Sequence, residues 1–519
     1  MLKPLTVQTI CPVCKRPVAA SYQAREDAVF FEAVCPDHGP FSALVAEQAE
    51  DYARWMKHRT VTVPPKRAIT RGKRRIDVQN GAEAPFNAGV QAFGAEAPFN
   101  AGVQAFDADA GLFDTDCPLH CGTCENHLMT ACCVLLDVTE RCNQHCPYCF
   151  ARAGEACAED PSLKTIAGLY DRLLDLGEER TFNIQLSGGE PTVRDDLPAI
   201  VKLGRDKGFA YIQLNTNGKR IGEEPGYAAA LKTAGVSAVF LQFDGTTDAI
   251  HTALRGEPLL GVKCAAIDNC RKARLPVTLV PTVVQGVNLH DIGNMVDFML
   301  SRLDVIKGIH FQPVSYFGRH PGLPRDPRDR VTMFAVMRET ERQTGGRIRC
   351  DDLAPISTGH PLCCFCGNFL REQNGELRSL IDKTQKEEGL SCCCETAPNP
   401  IEIIRRDRDF VLNKWMVGAD ESGRTGPDAD DGGAAERDAR GTPRRKRTAS
   451  GAEQEPAPLS LDEALAYLRG NMFTISGMAF MDRGNLDAER LKRCRVQVFS
   501  KDERLIPFCA YNSIYRSGG

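Results

Sequence analysis

The chain has 519 residues, room for several domains of about 100–200 residues each, and its 64 Lys and Arg nearly balance 68 Asp and Glu. A formal charge of −4 gives no global argument for binding nucleic acid or an acidic lipid surface, and no nucleic acid is expected. No run approaches the roughly 18 apolar residues of a membrane span, and the first residues, Met-Leu-Lys-Pro, open no apolar signal core. The outlier is 23 cysteines, clustered at short spacings that suit metal ligation better than disulfides. A reduced, cytoplasmic metalloprotein is the expectation.

Residues 1–60 carry Cys11 and Cys14 as CPxC, then Cys35 and His38 as CPxHG, on either side of a strand-like patch at Ala28–Phe31. Two such knuckles around a hairpin predict a zinc-ribbon or rubredoxin-like knot with three thiolates and one imidazole on one mononuclear zinc or iron. Residues 61–110 form a linker containing a perfect 13-residue tandem repeat, 81–93 and 94–106. Two copies are too few for a solenoid. Residues 111–133 are a cysteine-rich segment, with Cys117, Cys121 and Cys124 as CPxxCGxC, then Cys132 and Cys133.

From 134 to 320 the pattern becomes regular. Apolar runs at Val134–Val138, Phe182–Leu186, Tyr211–Leu214, Ala238–Phe243, Val277–Val284 and Gly308–Gln312 read as strands, with amphipathic segments between them. Six strands alternating with helices predict an α/β fold, a partial (β/α)6 TIM-like barrel with its functional groups at the C-terminal strand ends. Beyond it lie an extension at 321–417, a low-complexity insertion at 418–458 and a cysteine-bearing segment at 459–519. The insertion is too polar to build a core and is expected to be disordered; its basic patch, Arg444–Arg447, reads as a solvated face.

Directly after the first predicted strand stand Cys142, Cys146 and Cys149 at spacing CxxxCxxC, with Tyr148 before the last. A 4Fe–4S cube wants four thiolates, so a loop offering three leaves one iron open. A zinc knot would usually pair two CxxC units instead. After the second strand comes Gly188-Gly189-Glu190-Pro191. Its glycines allow close backbone approach to a ligand, and its carboxylate suits a cation. Asn215 and Asn217 end the third strand and Asp244 the fourth. Asn-Gly and Asp-Gly are also routine turn residues.

These motifs resemble the signature of the radical S-adenosylmethionine (radical SAM) enzymes. The resemblance implies that the open iron chelates the methionine part of S-adenosylmethionine. Reduction then yields a 5′-deoxyadenosyl radical that abstracts hydrogen from an unactivated carbon. It also implies that Gly188, Gly189 and Glu190 hold the methionine ammonium, that Asn215, Asn217 and Asp244 bond the ribose or carboxylate, that Arg255 forks onto the carboxylate, and that Tyr148 lies near the adenine. The further motifs LQFDG, HFQPVSYxGR (His310 to Arg319) and PFCAYN (Pro507 to Asn512), with the flanking cysteines, resemble the group of the archaeal tetraether lipid synthase and related pterin-precursor methylases. In that group the catalytic cluster is joined by one or two auxiliary 4Fe–4S clusters. Carried over, Cys117, Cys121, Cys124 and Cys132 would hold one. Cys363, Cys494 and Cys509, with one of Cys392, Cys393 or Cys394, would hold a second, Cys364 and Cys366 standing as further alternatives. Cys157, Cys264, Cys270 and Cys350 read as small buried hydrophobes.

The function expected is therefore reductive cleavage of S-adenosylmethionine and modification of an sp3 carbon, of a lipid chain by C–C coupling or of a pterin by methylation. Ferredoxin or flavodoxin would supply the electron. Aromatic and apolar residues at His310–Phe317 favour the lipid and with it a peripheral association with the membrane. The alternatives are a peptide-modifying radical SAM enzyme, for which no leader-binding domain is evident, and a multi-cluster electron-transfer protein, which would need no Glu190 motif.

Overall fold

The computed structural model describes residues 6–58, 60, 62, 64, 65, 67–69, 75–77, 117–122, 124, 126–154, 159–177, 182–356, 358–381 and 460–516. The tandem repeat, the insertion at 418–458, Cys157 and Cys392–Cys394 lie outside them.

The N-terminal unit is a four-stranded antiparallel meander of β1 (Thr6–Ile10), β2 (Pro17–Arg25), β3 (Ala28–Cys35) and β4 (Gly39–Ala46), followed by α1 (Ala49–Met56). This is a fuller sheet than the hairpin expected between the knuckles, because β2 alternates buried and half-buried positions along its length and recruits β1 as well as β3. The knuckles are the turns after β1 and β3. The short strands β5 (Arg67–Ile69) and β6 (Arg75–Asp77) pair with each other.

The second sheet is the barrel. Strands β7 (Cys133–Thr139), β8 (Asn183–Gly188), β9 (Ile212–Thr216), β10 (Ala238–Gln242), β11 (Val277–Val280) and β13 (Ile306–Pro313) run parallel in that order. Between them lie α2 (Leu163–Gly177), α3 (Leu197–Asp206), α4 (Lys219–Glu223), α5 (Tyr227–Ala234), α6 (Asp248–Arg255), α7 (Leu260–Lys272) and α8 (Ile292–Leu300). The fifth predicted strand is split by Pro281, which has no N–H to give the ladder, into β11 and the short β12 (Thr282–Val283). Helix α6 starts on a Thr247 side-chain cap to the Ile250 N–H (3.4 Å) and stops at Gly256, whose φ of 87° an L residue rarely adopts.

The C-terminal residues extend the barrel at both edges. After α9 (Met333–Gln343), β14 (Cys364–Arg371) and β15 (Leu377–Ser379) form a hairpin, and α10 (Leu461–Asn471) leads into β16 (Met472–Met478), which pairs parallel with β13 and antiparallel with β14. After α11 (Ala488–Lys492), β17 (Val496–Phe499) pairs parallel with β7 and antiparallel with β18 (Leu505–Pro507). The six-stranded core thus carries one further parallel strand on each edge, and the chain from β16 to β17 crosses between the two edges. The principal apolar core, with Tyr170, Phe209, Ile212, Leu214 and Val239, fills the space between strands and helices.

Candidate active site

The chain leaves β7 at Thr139 and enters the three-cysteine loop, which four side-chain systems pin. Arg319, at the end of the HFQPVSYxGR motif, exchanges two backbone hydrogen bonds with Cys149 (2.9 and 2.8 Å), and its guanidinium donates to the carbonyls of Cys146 and Ala153 (2.9 Å each). Gly318 permits that approach: a Cβ there would sit 2.3 Å from the Cys149 carbonyl oxygen. Arg255 donates to the Tyr148 carbonyl (2.8 Å). Asn217 donates to Asn143 (2.7 Å), and Gln144 donates to Glu257 (3.1 Å), which also pairs with Lys219 (3.0 Å). Arg319 was not legible as a site residue, because its contacts are to backbone atoms about 170 residues away.

All three thiols face one cavity. Burial pushes the Cys142 thiol up to about 12 and raises that of Cys146, so binding must supply the positive charge that turns them into thiolates. The donor set fits a cluster. Among the described residues, only the ribbon ligands have their donor atoms all within 4.8 Å of one another. The central sulfurs are spread wider, as a multi-iron cluster requires and a single zinc does not allow.

The Gly188–Glu190 turn packs on the stem of that loop. A Cβ on Gly188 or Gly189 would lie 2.1 Å from the carbonyl oxygen of Thr139 or Arg141, and the Gly189 and Glu190 N–H groups donate to those same carbonyls (2.8 Å each). The close approach that the glycines permit is thus to the cysteine loop itself. Glu190 is buried; its Oε1 accepts from the Thr192 N–H (3.0 Å) and from the Thr192 and Thr216 hydroxyls (2.6 Å each), and its Oε2 from the Asn217 N–H (2.6 Å). Oε2 keeps room for a further donor. Asn215 accepts from Gln213 (2.8 Å) on the lumen face of β9.

Arg255 differs from its expected role. Its guanidinium forks onto Asp244, at 2.7 and 2.6 Å, with both residues buried, so each supplies the other's charge. Burial acts to raise the Asp244 carboxyl, but the facing guanidinium wins and holds it below the usual carboxylate range. The pair braces the Cys loop through Tyr148 and β12 through the Thr282 N–H (3.0 Å). Lys263, fully buried beneath, donates to the Asn217 carbonyl, and burial brings its ammonium down to about 8.

A cavity of about 430 Å³ runs from the three cysteines through the barrel to Cys132 and Cys133 at the opposite strand ends. One wall is polar and comes from the strands: Asn183, Gln185, Gln213, Asn215, Gln242, Gln312, Tyr211 and His310. The side-chain amides of Asn183 and Gln312 have no hydrogen-bond partner among the described residues, while His310 Nδ1 meets the Ser476 hydroxyl at 3.0 Å. The other wall is aromatic, with Phe150, Phe317, Phe480 and Phe508, the last two rings 4.4 Å apart. In the stretch that favoured a lipid, strand alternation turns His310 and Gln312 to the lumen and buries Phe311 behind them.

The other cysteines gather in three places. At the ribbon, Cys14 and Cys35 sulfurs lie 3.8 Å apart, with Cys11 and Cys35 at 3.7 and 3.5 Å from His38 Nδ1. Zinc bonds of about 2.3 Å to sulfur and 2.0–2.1 Å to nitrogen, at tetrahedral angles, give edges of about 3.6–3.8 Å. The knot therefore fits one ion. Cys117 and Cys124 lie near enough to Cys121 to act on its thiol, whereas Cys132 sits on the lumen floor, its thiol toward the Arg495 carbonyl (3.7 Å). Cys363, Cys494 and Cys509 come together from three remote stretches. Cys270 is buried as expected; Cys264 and Cys350 are only half-buried.

A model of the radical SAM superfamily matches residues 136–299, and one of the HMPTM N-terminal zinc ribbon domain matches 4–47. The 7,8-dihydro-6-hydroxymethylpterin dimethyltransferase of Methanocaldococcus jannaschii is 30% identical over 98% of this chain and 93% of its own. The chain belongs to the radical SAM superfamily, in the family of that methyltransferase. A probable GTP 3′,8-cyclase of Methanothermobacter thermautotrophicus is 33% identical over 31% of this radical SAM enzyme and 52% of that protein. Among solved structures, a radical SAM methyltransferase from Sphaerobacter thermophilus matches at TM-score 0.32 and 17% identity, covering 42% of this chain and 64% of that one. SuiB of Streptococcus suis matches at 0.35 and 14%, covering 42% and 47%. A 4Fe–4S cluster and S-adenosylmethionine follow from membership of the superfamily. No helix among the described residues is long and apolar enough to cross a membrane.

Proposed function

We propose that this enzyme is a radical methyltransferase acting on a reduced pterin or a closely similar nitrogen heterocycle. The observation that carries the reading is the lumen. A row of amides with unspent hydrogen-bonding groups at Asn183 and Gln312 suits the donor and acceptor edge of a pterin, and the facing phenyl rings suit its flat face. An acyl or isoprenoid chain would leave those amides unpaired, at a cost of about 1–3 kcal/mol each. The relative named a pterin dimethyltransferase, aligned over nearly the whole chain, supports the same choice.

In this reading Cys142, Cys146 and Cys149 hold the catalytic cluster, with S-adenosylmethionine beside it against Gly188, Gly189 and Glu190. When bound, the pair would supply the radical that removes a hydrogen atom from the substrate carbon, and a separate one-carbon donor would supply the methyl group that takes its place. The chain's residues orient and shield. Glu190 Oε2 takes the ammonium of the methionine part, Asn215 and Asn217 bond its polar groups, and Tyr148 packs on the adenine. Asp244 and Arg255 brace the cysteine loop, and the Phe317–Phe480–Phe508 wall keeps water from the reacting carbon. Cys117, Cys121 and Cys124, joined by Cys132 from the lumen floor, form one auxiliary site; Cys363, Cys494 and Cys509 with Cys394 form another; and Cys11, Cys14, Cys35 and His38 hold one zinc. The electron comes from a cytoplasmic ferredoxin or flavodoxin. The test is whether 7,8-dihydro-6-hydroxymethylpterin accelerates reductive cleavage of S-adenosylmethionine by the anaerobically reconstituted protein. Acceleration by a long-chain lipid or a peptide, and not by the pterin, would overturn the reading.

A further inference from the structure

Arg490 on α11 is 5% exposed, yet among the described residues no carboxylate lies within 4.0 Å of its guanidinium. Its Nη2 donates to the Leu362 carbonyl (2.9 Å), the Ala479 carbonyl (3.2 Å) and the Cys363 sulfur (3.6 Å), and its Nε has no partner. The nearby Asp487 acts on Arg490 only across a distance, without a direct ion pair, because its oxygens are engaged by other donors. It accepts from the Tyr22 hydroxyl of the ribbon (2.6 Å) and, as the cap of α11, from the Glu489 and Arg490 N–H groups (2.8 and 3.3 Å). A buried cation without a counter-charge is strongly unfavourable. Of the groups whose charge acts on Arg490, the Cys363 sulfur is foremost, ahead of Tyr22 and Asp487; Cys494 and Cys509 gather with Cys363, and the Met481 N–H donates to Cys509 (3.3 Å).

A cluster ligated by thiolates carries net negative charge, and its potential is set by nearby charge, by N–H···S bonds and by exclusion of water. We infer that Arg490 is the counter-charge of an anionic iron–sulfur cluster on Cys363, Cys494 and Cys509 and that it raises this cluster's reduction potential. This rests on the reading of those thiols as an auxiliary site. The reduced cluster carries one more negative charge than the oxidised one, so a fixed cation stabilises the reduced state. Arg490 is a positioning residue here. If it merely tied Leu362 to Ala479, it would leave the potential where it was.

The experiment uses the full chain, reconstituted anaerobically on a C142A/C146A/C149A background so that only auxiliary signals remain. Iron is counted, and dithionite titration is followed by electron paramagnetic resonance. R490Q is expected to keep its iron and shift one cluster to a more negative potential, with R490K shifting it less in the same direction. If R490Q does not fold, R490K is read alone. Unchanged potentials at full iron content would overturn the role of Arg490. Separately, a C363A/C494A/C509A variant that loses no iron would overturn the cluster assignment, and the inference with it.

Discussion

Arg319 and Cys149 lie on opposite sides of the barrel mouth and are joined by a two-way backbone bridge, with the Arg319 guanidinium reaching on to Cys146 and Ala153. The loop that carries the three cysteines is thus held in shape from the end of the sixth core strand. Partners that orient metal ligands typically contribute about 10–100-fold in metal affinity or activity. Arg319→Met is therefore expected to lose central-cluster iron to a chelator at least about tenfold faster, with the ribbon metal unaffected. Equal rates of loss would show that the loop holds its shape unaided.

Removing the ligands themselves gives a sharper outcome. C142A/C146A/C149A is expected to abolish reductive cleavage of S-adenosylmethionine while the ribbon metal stays. Undiminished cleavage, read by chromatography of the adenosine product, would remove the three cysteines from the chemistry.

The buried Asp244–Arg255 pair makes a prediction about stability. Asp244→Asn strands the guanidinium without a counter-charge, at an expected cost of about 3–5 kcal/mol. Because the Asp244 carboxyl is held below its ordinary range, the pair contributes fully above that range and its contribution fades as pH falls through the depressed value. The gap between wild type and variant, measured by urea unfolding, should therefore be constant near neutrality and close only in strong acid. A gap that closed between pH 5 and 7 would point to a different titrating group.

Much of the barrel was legible in the sequence, and the reasons are local. Each core strand is an apolar run of a few residues, and the cysteine loop and the Gly188–Glu190 turn follow two of them directly. What was not legible depends on pairing at long range. β16 joins β13 and β17 joins β7 across large sequence separations, which no local pattern encodes. From sequence, Asp244 and Arg255 each read as facing the cofactor, since a sequence does not reveal that two polar residues eleven apart satisfy each other. Arg319 was hidden for the same reason: its partners are carbonyls.

The amide row of the lumen predicts a change in substrate affinity. Gln312→Leu removes one hydrogen bond to the substrate, about 1 kcal/mol and roughly fivefold in KM, with the slow cleavage of S-adenosylmethionine seen without substrate unchanged. A variant that lost cleavage with and without substrate alike would place Gln312 on the cofactor.

At the ribbon, His38→Ala is expected to release its metal on dialysis against a chelator and to lower the thermal midpoint, because the ribbon docks on the C-terminal segment through Tyr22 on Asp487 and Trp55 on the Pro361 carbonyl. Central-cluster iron should persist. Retention of one metal per chain in the variant would exclude His38 as a ligand.

The most direct measurement is the mass of the product. Reconstituted enzyme, reductant, S-adenosylmethionine and 7,8-dihydro-6-hydroxymethylpterin would be incubated together with a candidate one-carbon donor, and the pterin analysed by mass spectrometry. The expected result is a pterin heavier by one or two methyl groups, absent with C142A/C146A/C149A. Unmodified pterin beside coupled or branched lipid chains from the same enzyme would contradict it.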